Sequence, residues 1–152
     1  PASDCDVTVR ATAGQVLVVS GNLDNEAALV SSLQGWLGKQ ARNLLEPWLM
    51  EIATTQGTNV QRVHIRGQRT RWASCSSVGN FSFNRNLLFL REQLVRFVIL
   101  HEVCHRFEMN HSARFWSRLR QWEPETDSLT RELGQAWRLI PSWARTLARV
   151  TP

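Results

Sequence analysis

Phe97-Val-Ile-Leu-His-Glu-Val-Cys-His-Arg-Phe-Glu-Met-Asn-His111 is the stretch that decides the fold. From Arg91 to Phe107 apolar residues occupy nearly every face of a helical wheel: Leu94, Phe97, Val98, Ile99, Leu100, Val103, Cys104 and Phe107. Such a pattern predicts a central, buried helix. Two histidines and a glutamate inside it are costly to bury unless they have partners. His101 and His105 are four residues apart, one turn apart on one face, with Glu102 beside them. Zinc accepts imidazole nitrogen and keeps a position open for water in catalytic sites. A neighbouring glutamate can take the proton from that water, which is the chemistry behind the HExxH spacing. The cofactor expected here is therefore Zn2+.

The residues leave two routes to a third ligand. His111 follows His105 by six positions, the offset of HExxHxxGxxH sites, although Glu108 stands at the glycine position. The chain is then expected to turn at Met109-Asn110, with Asn110 as an N-cap and His111 in the first turn of the next helix. The rival ligand is a downstream carboxylate, Glu123, Glu125 or Glu132, completing a His2Glu site. His111 is the favoured reading.

Working outward, residues 6–20 alternate around Ala13-Gly14-Gln15 and predict a hairpin. Asp24 is a candidate N-cap for a helix carrying Leu29, Leu33, Trp36 and Leu37. A second helical stretch carries Leu44, Leu45, Trp48, Leu49 and Ile52, with Gly35, Gly38 and Pro47 as candidate breaks. Residues 60–66 predict a strand, Arg71 to Gly79 a compact loop with a strand-like start, and Asn80 to Asn84 a strand with Phe81 and Phe83 on one face. Beyond the central helix, Phe115, Trp116, Leu119 and Trp122 stripe another, ended at Glu123-Pro124. A last helix is expected over 126–139, stopped by Pro141. Short strands followed by helices give an α+β class. The length of 152 residues suits a single domain over 1–152.

Hydrophobic residues make up 43% of the chain, as in a globular protein rather than a disordered one. No apolar run approaches the roughly 20 residues of a membrane span, so no membrane partner is expected. Cys5, Cys75 and Cys104 are too few and too scattered for a disulfide scaffold or a thiolate knuckle, and point to a reducing, cytoplasmic location. Seventeen of the eighteen Lys and Arg residues are Arg. Charge is uneven: residues 60–120 hold eleven Arg against Glu92, Glu102 and Glu108. Within that segment Arg62, Arg66, Arg69 and Arg71 form the best candidate for a nucleic-acid contact patch.

Arg69-Thr-Arg-Trp-Ala-Ser-Cys-Ser76, His101-Glu-Val-Cys-His105 and Asn110-His-Ser-Ala-Arg-Phe-Trp116 together resemble the YgjP-like family of zinc metallopeptidases. The family pattern runs TRWGSCS, HELCH, NHSxxFW, and SprT-like and WLM proteases are related. The resemblance extends from the hairpin to about Trp137. It implies a compact zincin-like domain, with a small antiparallel sheet packed on helices around a central buried HExxH helix. It also implies His101, His105 and His111 as ligands and Glu102 as the catalytic residue. Ala73 stands where the family has Gly, and Phe107 and Glu108 vary the segment that joins the two histidine stretches.

The expected reaction is zinc-assisted hydrolysis of a peptide or protein substrate, with Glu102 as general base. The tetrahedral intermediate needs an oxyanion donor. The chain contains no Tyr, so the candidates are His64, Arg66, Arg71, Asn110, a backbone N–H or the ion itself. Two other functions fit the same residues: a nucleic-acid-associated zinc protease or binding module of SprT-like type, and a non-catalytic zinc-binding regulatory protein. A different metallohydrolase, such as an amidase, also fits the ligand set.

Overall fold

The computed structural model describes residues 7–14 and 16–145; Cys5 lies outside them. The expected hairpin is β1 (Thr8–Ala11) and β2 (Leu17–Ser20), antiparallel with Thr8 opposite Ser20. The next element departs from expectation. A single 30-residue helix, α1 (Glu26–Thr55), replaces the two predicted stretches and runs through Gly35, Gly38 and Pro47. Isolated Gly and Pro penalties of about 1 and 3 kcal/mol favour breaks there. They are outweighed by one unbroken buried stripe, Leu37, Ala41, Leu45, Leu49 and Ile52, which fixes both halves to the same core. The N-cap is Asn25 rather than Asp24: its side chain accepts from Ala28 N at 3.1 Å. Gly57, at φ +76°, turns the chain away from the C-terminus of the helix.

A three-stranded sheet follows, in the order β3-β5-β4. β3 (Arg62–Arg66) runs parallel to β5 (Asn80–Asn84), and β4 (Ala73–Cys75) is antiparallel to β5. In register, Val63, Phe81 and Cys75 form one row across the strands, and Ile65, Phe83 and Ala73 the next. Phe81 and Phe83 are fully buried, so these rows face the core. His64, Ser82 and Ser74 form the row on the other face.

A 3-10 turn over Arg85–Phe89 leads into the central helix, α2 (Glu92–Cys104). Its buried residues include Leu94, Val95, Phe97, Val98, Ile99, Leu100, Val103 and Cys104, which makes it the middle of the core. It ends at Cys104, three residues short of the predicted end. α3 (Ala113–Trp122) is capped by Ser112, whose side chain accepts from Phe115 N at 3.3 Å. Asn110 is therefore not the cap, and His111 lies just ahead of the helix rather than in its first turn. The last predicted helix is divided into α4 (Thr126–Gln135) and a 3-10 turn over Ala136–Leu139. A short α5 (Ser142–Arg145) follows Pro141. The 3-10 turn brings Trp137 onto Trp72, rings stacked at 3.8 Å, and so fastens the segment before β4 to the C-terminal helices. The architecture is α+β, with small sheets on helices around the helix that carries the histidine pair. No helix among the described residues is long and apolar enough to cross a membrane.

Candidate metal centre

His101 sits in the last turn of α2 and His105 is its C-cap residue, still in right-handed helical geometry. One turn of helix therefore sets both rings on one side, 5.1 Å apart between centroids. After His105 the helix tightens and stops: Phe107 N and Glu108 N both bond to Cys104 O, at 3.0 Å each. The chain then reverses through Met109-Asn110, and Ser112 N bonds to Asn110 O at 2.7 Å. This reversal needs no glycine, and it returns His111 to the helix it left. His111 Nε2 lies 2.9 Å from His101 Nε2. One ligand atom from each of His101, His105 and His111 lies within 4.8 Å of the others.

The aromatic pair that opens α3 is the support. The Phe115 ring, fully buried, lies 4.9, 4.7 and 4.8 Å from the rings of His101, His105 and His111. Trp116 stacks on His111 at 5.7 Å. Read in sequence, Phe115 and Trp116 are only part of an apolar stripe; their role as a floor under three imidazoles was not predicted. Their place in the Asn-His-Ser-x-x-Phe-Trp pattern was the available signal.

The protonation states suit a cation. Burial, then the charges of His105 and His111, push the His101 pKa down to about 3, so its ring is neutral, the form that ligates. Burial also lowers that of His105. His105 Nδ1 donates to Glu108 O at 3.1 Å, which leaves Nε2 with a free lone pair. Three imidazoles converging on one point are a donor set that zinc accepts. In the absence of an ion, one tautomer lets the His101 and His111 Nε2 atoms share a hydrogen bond at 2.9 Å; a bound cation would take the place of that proton. The residues present thus fit the ion.

Glu102 is 6% exposed, and its carboxylate has no hydrogen-bond partner among the described residues. Burial raises its pKa to about 8, opposed by the positive charge of Arg71. Cys75 of β4 lies in the same field: burial and then the Glu102 charge push its thiol up to about 12. β4 packs against α2, the helix that carries Glu102. Arg106, next to His105, donates to Ser77 O and, at 3.2 Å, to Asn59 Oδ1. It ties the end of α2 to the turn after β4.

The other sequence candidates are placed as follows. Asn110 is exposed in the reversal beside His111. His64 and Arg66 lie on β3, separated from β4 by β5. The rival carboxylates have other partners. Glu123 accepts from Arg96 at 3.2 Å, Glu125 from Gln93 at 3.0 Å and Glu132 from Arg91 Nε at 2.7 Å. Cys104 is fully buried, with Sγ 3.7 Å from Phe115 O.

Comparison with known proteins gives the same picture. The family model described as "YgjP-like, metallopeptidase domain" matches residues 3–136. No curated protein matches the chain. Among solved structures, the metallopeptidase zymogen abylysin of Pyrococcus abyssi is 21% identical with a TM-score of 0.55. The match covers 62% of this chain and 96% of that one. The metallopeptidase zymogen jannalysin of Methanocaldococcus jannaschii is 23% identical with a TM-score of 0.51, covering 60% and 94%. At these identities the likeness is one of fold.

Two outcomes are expected. His111→Ala lowers zinc affinity at least ~10-fold, a loss on the scale known for disturbing a metal site, whereas Glu123→Ala leaves it unchanged; zinc titration against a chromophoric chelator measures both. Equal affinity for His111→Ala and wild type would remove His111 from the ligand set. The second concerns pH. In the unfolded chain Glu102 loses its proton near its ordinary value of 4.5, and in the metal-free fold only near 8. The fold therefore binds the extra proton in this window, and stability falls as pH rises through it. Glu102→Gln abolishes that slope. Metal-free Glu102→Gln should melt increasingly above wild type from about pH 4.5 to about pH 8. Parallel melting profiles across the window would contradict the assigned burial of the carboxylate.

Proposed function

The chain belongs to the YgjP-like metallopeptidase domain family, and we propose that it is a zinc metallopeptidase in which His101, His105 and His111 hold the ion and Glu102 is the general base. One observation carries this reading: three imidazole ligand atoms within 4.8 Å of one another stand beside a buried glutamate that lacks a hydrogen-bond partner among the described residues. We read residues 1–152 as one such domain. The free thiols of Cys75 and Cys104 support a cytoplasmic setting.

When bound, zinc supplies Lewis acidity that favours ionisation of water and polarisation of a carbonyl. The chain's own residues do the rest. Phe115 and Trp116 hold the imidazoles in one arrangement. Glu102 takes the proton of the attacking water and delivers it to the departing amine nitrogen. Its apolar surroundings hold back competing solvent and raise its basicity. Arg71, whose charge is felt at Glu102, is the best placed of the candidate donors to developing negative charge; Asn110 beside His111 is the next. His64 and Arg66, on the far edge strand, are candidates only for more distant substrate contacts. β4 has a partner strand on one side only among the described residues. An extended peptide can add to such an edge as a further strand.

A second reading, association with nucleic acid, has an observation of its own. Arg62, Arg66, Arg69 and Arg71 are all exposed, and none is paired with a carboxylate among the described residues. That reading predicts binding to a single-stranded oligonucleotide that weakens steeply with salt. Unchanged binding after replacement of all four arginines by Gln would remove it.

The peptidase reading is tested with zinc-loaded protein and an unstructured protein substrate. Glu102→Ala should lower turnover by ~10²-fold to 10⁴-fold, the usual contribution of a general base, with zinc still bound. Undiminished proteolysis by Glu102→Ala would overturn it.

A further inference from the structure

At the other edge of the sheet from the metal centre, α1, β3 and the turn after β5 border an open cavity of about 300 Å³. Lys39, Arg42 and Arg85 line it, with the amide of Asn43 and the bare backbone of Gly35 and Gly38. No carboxylate lines it. Arg42 is partly engaged, reaching Glu46 at 3.0 Å and Val63 O at 3.4 Å. Lys39 and Arg85 have no acceptor among the described residues.

Arg85 is the unusual member. Its Nε is buried without a hydrogen-bond partner. That burial puts Nε beyond the reach of an ion in the cavity, so Arg85 would act there through its charge and its terminal nitrogens. The guanidinium is also closely seated. It lies flat against Gly67, where an added Cβ would fall 2.5 Å from its Cζ. Only glycine at position 67 allows this approach. On the α1 side, a Cβ on Gly35 or Gly38 would meet nothing within 4 Å, so the helix surface leaves the cavity open. Burial lowers the Arg85 pKa, the direction expected for a cation that lacks a counter-charge.

We propose that this cavity binds a phosphate group, with Arg85 and Lys39 as the principal charges and Arg42 and Asn43 as further donors. Lys39 and Arg85 remain as two cations without a counter-charge, more than one monovalent carboxylate can neutralise. A tetrahedral dianion offers several acceptors at once, and guanidinium groups match its geometry. The sources sharing this chemistry are free phosphate or a phosphomonoester, and a nucleic-acid phosphate. The site is separate from the histidine cluster, so its occupancy does not depend on the peptidase reading.

The experiment is thermal denaturation of the zinc-loaded protein in sodium phosphate and in sodium chloride at matched ionic strength, with sodium acetate as a third arm. Phosphate should raise Tm saturably, while chloride and acetate should not. Lys39→Gln, at an exposed position, should weaken the apparent affinity at least ~10-fold, the scale of one charge-assisted hydrogen bond. Gly67→Ala keeps every charge but displaces the Arg85 guanidinium, and should weaken it similarly. If Arg85→Gln does not fold, these two variants carry the test. A short oligonucleotide that shifts Tm at lower concentration than phosphate, with the same sensitivity to Lys39→Gln, names nucleic acid as the source. No effect of the oligonucleotide names a small phosphate. A phosphate effect equal to chloride's, or one that survives both variants intact, as binding at the zinc would, overturns the proposal.

Discussion

The structure depends on the burial of two histidines and a glutamate within a helix that is otherwise apolar. α2 fills the middle of the core through Leu94, Phe97, Ile99, Leu100 and Val103, and this burial holds the helix in place. The same burial strips water from Glu102, His101 and His105. It lowers the pKa of His101 and His105 and raises that of Glu102 in the metal-free fold. A polar group placed in such surroundings costs stability unless a partner restores what water supplied. A cation shared by the three histidines and a water beside Glu102 would be such partners. The packing that makes the fold and the chemistry that makes the site are one constraint.

Neighbouring elements adapt to it. The chain leaves α2 by tightening after His105, reverses without glycine, and enters α3 with Phe115 and Trp116 pressed against the imidazoles. Arg106 joins the end of α2 to the turn after β4, so the helix and the edge strand near Glu102 are held together. On the other edge, α1 and β3 make a second polar region, built on arginine and glycine rather than histidine. The two regions share the sheet but no residues.

Much of the site was legible because it is local. His101, Glu102 and His105 are set by helical spacing, and His111 is near enough for a single reversal to return it. What escaped the sequence depends on contacts between distant segments. Gly35, Gly38 and Pro47 carry the local signature of breaks, yet a buried stripe from Leu37 to Ile52 holds α1 as one helix. Ser112 rather than Asn110 caps α3, because the reversal takes up the residues before it and the helix starts only at Ala113. Arg85 reads as an ordinary surface charge until Gly67 and the glycines of α1 are seen around it. The choice between His111 and the downstream glutamates was open in sequence. The ion pairs and hydrogen bonds of Glu123, Glu125 and Glu132 are tertiary facts.

The central claim is the ligand set, and X-ray absorption at the zinc edge of the loaded protein tests it most directly. The account predicts three imidazole nitrogens at about 2.0–2.1 Å and one further light scatterer, the signature of an open three-histidine site. A sulfur shell at about 2.3 Å, or scattering from only two imidazoles, would contradict it.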